Sequence, residues 1–181
     1  MANLSDAYRI QEIKLPVGYK FMFTSKGSAT IIKAVQYTFI EKFEGKNVYN
    51  LGFGDYDPQS DDIIDQAKSN NGDAYKVFRT VLSTIPPFFE NFPEAIIMVQ
   101  GSDSSTDFAE RCRETCMKRC TKTCRKFNQR ITLYRGYVEK NFQVLGLHYW
   151  FLGGFLKENS SLITELYIPG RLYDAILFFK K

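Results

Sequence analysis

The sequence predicts an α+β fold in which an antiparallel β-sheet, an N-terminal meander plus later strands, packs with two main helices. Two patterns carry that expectation. Between Tyr19 and Phe39 apolar and polar residues alternate with a period of two, as half-buried strands do. From Tyr75 to Ile85 and from Phe108 to Val138 the apolar residues instead recur three or four apart, as on one face of a helix. A chain of 181 residues, 44% hydrophobic with 16 Phe and 11 Tyr, is long enough to bury a ring-rich core, which excludes a disordered chain. One domain over 1–181 is the economical organisation, with 1–18 as an extended arm and 103–130 as a helical elaboration.

Taken in order, Tyr19, Phe21 and Phe23 alternate with Lys20, Met22 and Thr24, and the pattern resumes at Ile31, Lys33, Val35 and Tyr37 after Ser25-Lys26-Gly27-Ser28. That is a β-hairpin. A second turn at Glu44-Gly45-Lys46-Asn47 leads to a third strand over Val48 to Phe53, completing a meander. After an acidic, turn-rich stretch, a helix is expected from Asn71-Gly72-Asp73, capped by Asp73, with Tyr75, Phe78, Val81, Leu82 and Ile85 on its buried face and Pro86-Pro87 as its end. The β-branched run Ala95 to Val99 reads as a buried strand.

Asp107 and Glu110 resemble a capping box, so a second helix is expected there. Its apolar seam is Phe108, Cys112, Cys116, Cys120, Cys124, Phe127, Ile131, Tyr134 and Val138. Unbroken to Lys140 it would span roughly 50 Å, against a radius of gyration of about 16 Å for a compact chain of this length. It must therefore bend near Asn128 or project. Alternation from Gln143 to Phe151 predicts a strand broken by Gly153-Gly154, and Leu172 to Phe179 predicts a final apolar element.

No apolar run reaches the 18 residues of a membrane span, and the N-terminus lacks a basic and apolar leader, so a cytoplasmic chain with no membrane partner is expected. In that compartment the four cysteines are expected as thiols, metal ligands or core atoms. Charge is uneven. Residues 111–130 hold eight Lys or Arg against the single acid Glu114, a net +7, which leaves −3 for the rest of a chain whose total is +4. An anionic partner would be met at this segment.

Asn71-Gly72-Asp73 with Val77 and Thr80-Val81, then Gly101-Ser102, Arg130-x-x-Leu133-Tyr134-Arg135 and Tyr173-Asp174-Ala175 together resemble a family of uncharacterised bacterial proteins of about this size, a domain-of-unknown-function family. The resemblance runs from Tyr19 onward. In that family's pattern the Gly-Ser turn lies close before the Arg-x-x-Leu-Tyr-Arg helix, whereas here about two dozen residues, including every cysteine, separate them. The resemblance thus implies that the basic Cys segment elaborates a shared fold.

Four sets of residues are candidates for chemistry. Cys112, Cys116, Cys120 and Cys124 recur every fourth position, so neighbours share a helix face, but the outer pair would lie roughly 18 Å apart on a straight helix. A zinc site, with sulfurs about 2.3 Å from the ion, would need ligands from a second copy. No cofactor is expected; zinc bridged between two chains is the alternative, and small hydrophobes in a helix seam are the plain reading. Arg111, Arg113, Lys118, Arg119, Lys122, Arg125, Lys126 and Arg130 could neutralise phosphates or an acidic protein, since the acids that would balance them four residues earlier are missing.

The small-residue loop at Gly101, Ser102 and Ser104, before a helix N-terminus, suits an anion, with Arg130, Tyr134 and Arg135 able to complete a pocket; the alternative is ordinary capping. Asp55, Asp57, Asp61, Asp62 and Asp65 fail the EF-hand pattern at its glycine and final glutamate. His148, the single histidine, falls in the expected strand and reads as a core or interface residue. The expectation that follows is a non-catalytic module self-associating through the Cys-rich basic helix as a homo-oligomer. The rival is an enzyme or toxin-like protein acting on a nucleotide or nucleic acid through the Gly101 loop with Arg130, Tyr134 and Arg135.

Overall fold

The computed structural model describes residues 6–16, 18–64, 71–104, 108–115, 120, 124–157 and 161–181. They form an α+β fold with nine strands, and the strand pairs with a resolved register are antiparallel. The chain divides into two compact units, 1–97 with Lys180 and 98–179 with Lys181.

In the first unit, β1 (Gln11–Leu15), β2 (Gly18–Lys26), β3 (Thr30–Phe43) and β4 (Lys46–Asp57) lie side by side in that order, with β5 (Asp62–Ile64) folded back on β4. Residues 11–15 of the expected arm are thus a sheet strand. Directly paired residues share a face, so Tyr19, Phe21 and Phe23 stand beside Tyr37, Val35 and Lys33, and these beside Leu51, Phe53 and Asp55. This face is covered by α1 (Ala74–Ser83) and α2 (Ile85–Asn91), where Val77, Thr80, Val81, Phe88 and Phe89 are buried. The Phe88 ring stacks on Tyr37 at 4.0 Å and meets Phe92 at 5.1 Å and Tyr49 edge-on at 5.3 Å.

Three expectations for this helix are corrected. Pro86 and Pro87 do not close it; they occupy the first turn of a new helix, where a missing amide costs nothing because that amide has no intrahelical partner. Tyr75 is 87% exposed, so the buried stripe runs through Val77, Thr80 and Val81 instead. Asp73 stands at the α1 N-cap without capping it.

β6 (Ile96–Gln100) carries the chain into the second unit, which holds α3 (Phe108–Thr115), α4 (Gln129–Leu145), β7 (Tyr149–Leu156), β8 (Leu162–Leu166) and β9 (Ala175–Lys180) in the strand order β6-β9-β7-β8. Ile131 and Val138 of α4 are buried, and Phe142 packs on Phe151 at 5.8 Å and Tyr167 at 5.6 Å. Phe151 stacks in turn on Phe178.

The expected strand over 143–151 is corrected at its start. Val138, Phe142 and Leu145 continue the helical spacing, α4 runs to Leu145, and the Gly146 amide closes it on the Phe142 carbonyl at 2.8 Å. His148 therefore lies exposed in the turn before β7. Gly153 and Gly154 do not break β7 but lie inside it. A Cβ on Gly153 would come within 2.1 Å of the Tyr173 ring, and one on Gly154 within 2.8 Å of Leu162, so the two glycines admit side chains packed directly on the strand backbone.

The helical pattern expected over 108–140 does not run unbroken, and one interruption falls where a bend was expected, at Asn128. α3 is described over Phe108–Thr115, Cys120 and Cys124 lie outside any described helix, and residues 125–128 form a turn. Asn128 precedes α4 at φ +58°, a left-handed conformation that asparagine tolerates and that no helix can run through. The expected capping residue Asp107, with Cys116, Lys118, Arg119 and Lys122, falls outside the described residues. No described helix is long and apolar enough to cross a membrane.

Candidate functional site

The loop after β6 and the start of α4 meet, as the anion-pocket expectation requires. The Asp103 carbonyl accepts the Asn128 amide at 3.2 Å, and its carboxylate Oδ2 accepts the Arg130 amide at 3.0 Å. A residue 27 positions upstream thus satisfies an orphan amide at the N-terminus of α4, where a negative charge is favoured. Gly101 is buried so tightly that a Cβ would lie 2.5 Å from Asp103 Oδ1, 2.7 Å from Ser104 Oγ and 3.2 Å from the Ile131 nitrogen. Only glycine fits there. Ser104 donates its amide to the Gly101 carbonyl at 3.0 Å, and Ser102 is exposed. Arg130, Tyr134 and Arg135 are half-buried on the first turns of α4, and Arg135 reaches Thr132 Oγ1 at 3.3 Å. An anion approaching this helix end would meet the Asp103 carboxylate already seated on it.

In the basic segment, Arg111 and Arg113 are exposed on α3 while Cys112 between them is buried. Cys120 and Cys124 are half-buried, and the Arg125 amide donates to Cys120 Sγ at 3.4 Å. Arg125 is exposed, Lys126 and Arg130 are half-buried, and Phe127 among them is 42% exposed. Among the described residues no group of three or more His, Cys, Asp or Glu could hold a metal ion.

A cluster that the sequence reading missed lies in the first unit. Asp73 Oδ2 accepts the Ser25 hydroxyl at 2.6 Å and the Tyr8 hydroxyl at 2.7 Å. Ser25 accepts the Asn71 side-chain amide at 2.8 Å, and Asn71 also bonds both backbone groups of Ala29, at 2.7 and 3.0 Å. Lys33 is buried on the same sheet face, ion-paired to Asp55. Burial alone would raise the Asp73 carboxyl, but the Ser25 and Tyr8 hydroxyls, with Lys33 nearby, hold it below the ordinary value. The available signal was Lys33 itself, a lysine at an inward position of an otherwise apolar alternation. Hydrogen bonds join Tyr8, Ser25, Ala29, Asn71 and Asp73 into one network, with the Lys33–Asp55 ion pair beside it.

The second unit holds a tyrosine group. Tyr173 donates to Glu165 at 2.7 Å, Arg171 pairs with Glu165 at 2.8 Å, and Glu139 accepts the Gly170 amide at 3.1 Å. Burial pushes the neighbouring Tyr167 hydroxyl from 10.0 up to about 12, with Glu139 adding to the effect and Arg135 opposing it. The unfolded chain loses this proton first, so stability is intact below pH 10 and falls as pH rises towards 12. Urea midpoints collected across that range are expected to fall more steeply for the wild type than for Tyr167→Phe; parallel curves would reject the assignment.

A family model described as a family of unknown function, DUF6934, matches residues 5–181. No curated protein and no solved structure matches the chain.

Proposed function

Since the chain belongs to DUF6934, a family of unknown function, we propose that it is a non-catalytic nucleic-acid-binding module whose contact surface is the basic segment 111–130. The observation that carries this reading is charge segregation. That segment is +7 while the remainder is −3, and Phe127 stands partly exposed among Arg125, Lys126 and Arg130. Cations that follow a phosphate backbone, with a ring on which a base can stack, are what a single strand requires.

Self-association through a cysteine seam has less in its favour, because the seam needs one helix through 108–138, whereas Cys120, Cys124 and residues 125–128 lie outside the described helices. Two copies of a +7 segment would also repel. The enzyme alternative places an external anion at the start of α4, where the Arg130 amide is already bonded to Asp103.

The test is fluorescence anisotropy with single-stranded RNA and DNA oligonucleotides over a salt series. Five described cations, Arg111, Arg113, Arg125, Lys126 and Arg130, would give a slope of log K against log salt of about −3.5 if each neutralises one phosphate. Arg125→Ala with Lys126→Ala is expected to flatten it by about 1.4. No measurable affinity at low salt, or an unchanged slope in the double variant, would overturn the proposal.

A further inference from the structure

We infer that Cys120 and Cys124 form a dithiol that a hydroperoxide converts to an intrachain disulfide, a modification site within the basic segment. The geometry that points to it is the bond from the Arg125 amide to Cys120 Sγ at 3.4 Å. That nitrogen is bonded to the Cys124 carbonyl carbon, and Cys124 Cα is one bond beyond, so the Cys120 sulfur lies within about 6 Å of Cys124 Cα. It already rests against the backbone that carries its partner.

Three further observations agree. Neither residue belongs to a described helix, so closing a bridge disrupts no helical hydrogen bond in the described structure. Both are half-buried and so within reach of a small oxidant, whereas Cys112 is buried. The spacing of four residues is compatible with the Cα separation of about 4.4–6.8 Å that a disulfide needs.

The chemistry balances with the peroxide as oxidant. One cysteine sulfur attacks the peroxide, an S–O bond forms as the O–O bond breaks, and the first water leaves with the thiol proton. The second sulfur then displaces hydroxide from this sulfenic acid, and that hydroxide takes the second thiol proton to leave as water. Two thiols and one hydrogen peroxide give one disulfide and two waters.

The experiment treats the reduced full-length protein with stoichiometric hydrogen peroxide, alkylates remaining thiols and maps peptides without reduction. The expected product is the Cys120–Cys124 bridge, two hydrogens lighter, reversed by dithiothreitol and formed equally well in Cys112→Ser. In Cys124→Ser, dimedone is expected to trap a sulfenic acid at Cys120 instead. A bridge mapped to Cys112 or Cys116, a bridge between chains, sulfinic acid without a bridge, or full alkylation of both residues would each overturn the assignment. The readout is mass, so it stands or falls independently of any affinity for nucleic acid.

Discussion

Asp55→Ala is expected to destabilise the first unit by about 3–5 kcal/mol, the range for removing one partner of a buried ion pair. What remains behind decides the size of the loss. Lys33 is 4% exposed, paired to Asp55 and set near the Phe53 ring at 5.8 Å. Asp55 keeps 18% of its side chain exposed, so it gives up less on removal than the lysine loses. Without the carboxylate the buried ammonium loses its ion-pair partner, and the cost is desolvation left uncompensated rather than the modest net value of the pair. Lys33→Met combined with Asp55→Leu should therefore restore most of the loss, because an apolar pair of similar size has no charge to strand. Because Trp150, the only tryptophan, lies in the second unit, hydrogen exchange of β2–β4 peptides is the suitable measurement. A loss below about 1 kcal/mol in Asp55→Ala would reject this account.

Phe88→Ala is expected to cost about 3–5 kcal/mol, the range for deleting a buried aromatic side chain. Phe88 is fully buried and touches Tyr37, Tyr49, Phe89 and Phe92 with centroids between 4.0 and 5.7 Å. Tyr37 is additionally tied by its hydroxyl to Thr84 at 2.7 Å, so its ring cannot easily slide into the vacated space. Tyr75→Ala on the neighbouring helix is the control. At 87% exposure it should change stability by no more than about 0.5 kcal/mol. Comparable losses in the two variants, read by urea unfolding, would contradict the packing described.

These two residues also mark where the sequence was readable. The meander is legible because each strand has one buried face, and period-two alternation then records both the strand and its register. Phe88 is less legible, since it follows two prolines, and a proline pair reads as a stop until the helix it opens is seen. The α4 to β7 junction misleads because Leu145 satisfies both periods at once, and Val138 with Phe142 decides for the helix. The cysteine segment misleads differently. A spacing of four is necessary for a helical seam but not sufficient, and nothing local announces the left-handed Asn128.

As for the candidate sites, the basic segment is legible as charge because charge needs no geometry. The Asp73 network is not, because its hydrogen bonds join residues 48 and 65 positions apart. The meeting of the Gly101 loop with Arg130 was anticipated; that Asp103 would occupy the helix end was not. A short polar residue in a loop gives no sign of which distant amide it will serve.

That same Asp103 has a topological consequence. Its two bonds to Asn128 and Arg130 bring the two chain ends that flank residues 104–127 together at one point, so the length of chain between them is closed off by Asp103. The entropy of closing such a loop grows only logarithmically, about 0.6 kcal/mol per doubling of length. By that measure a change in the length of chain between Asp103 and Asn128 weighs little on the closure itself. The closure of the chain on itself at Asp103, rather than the composition of what lies between, is what fixes where α4 begins.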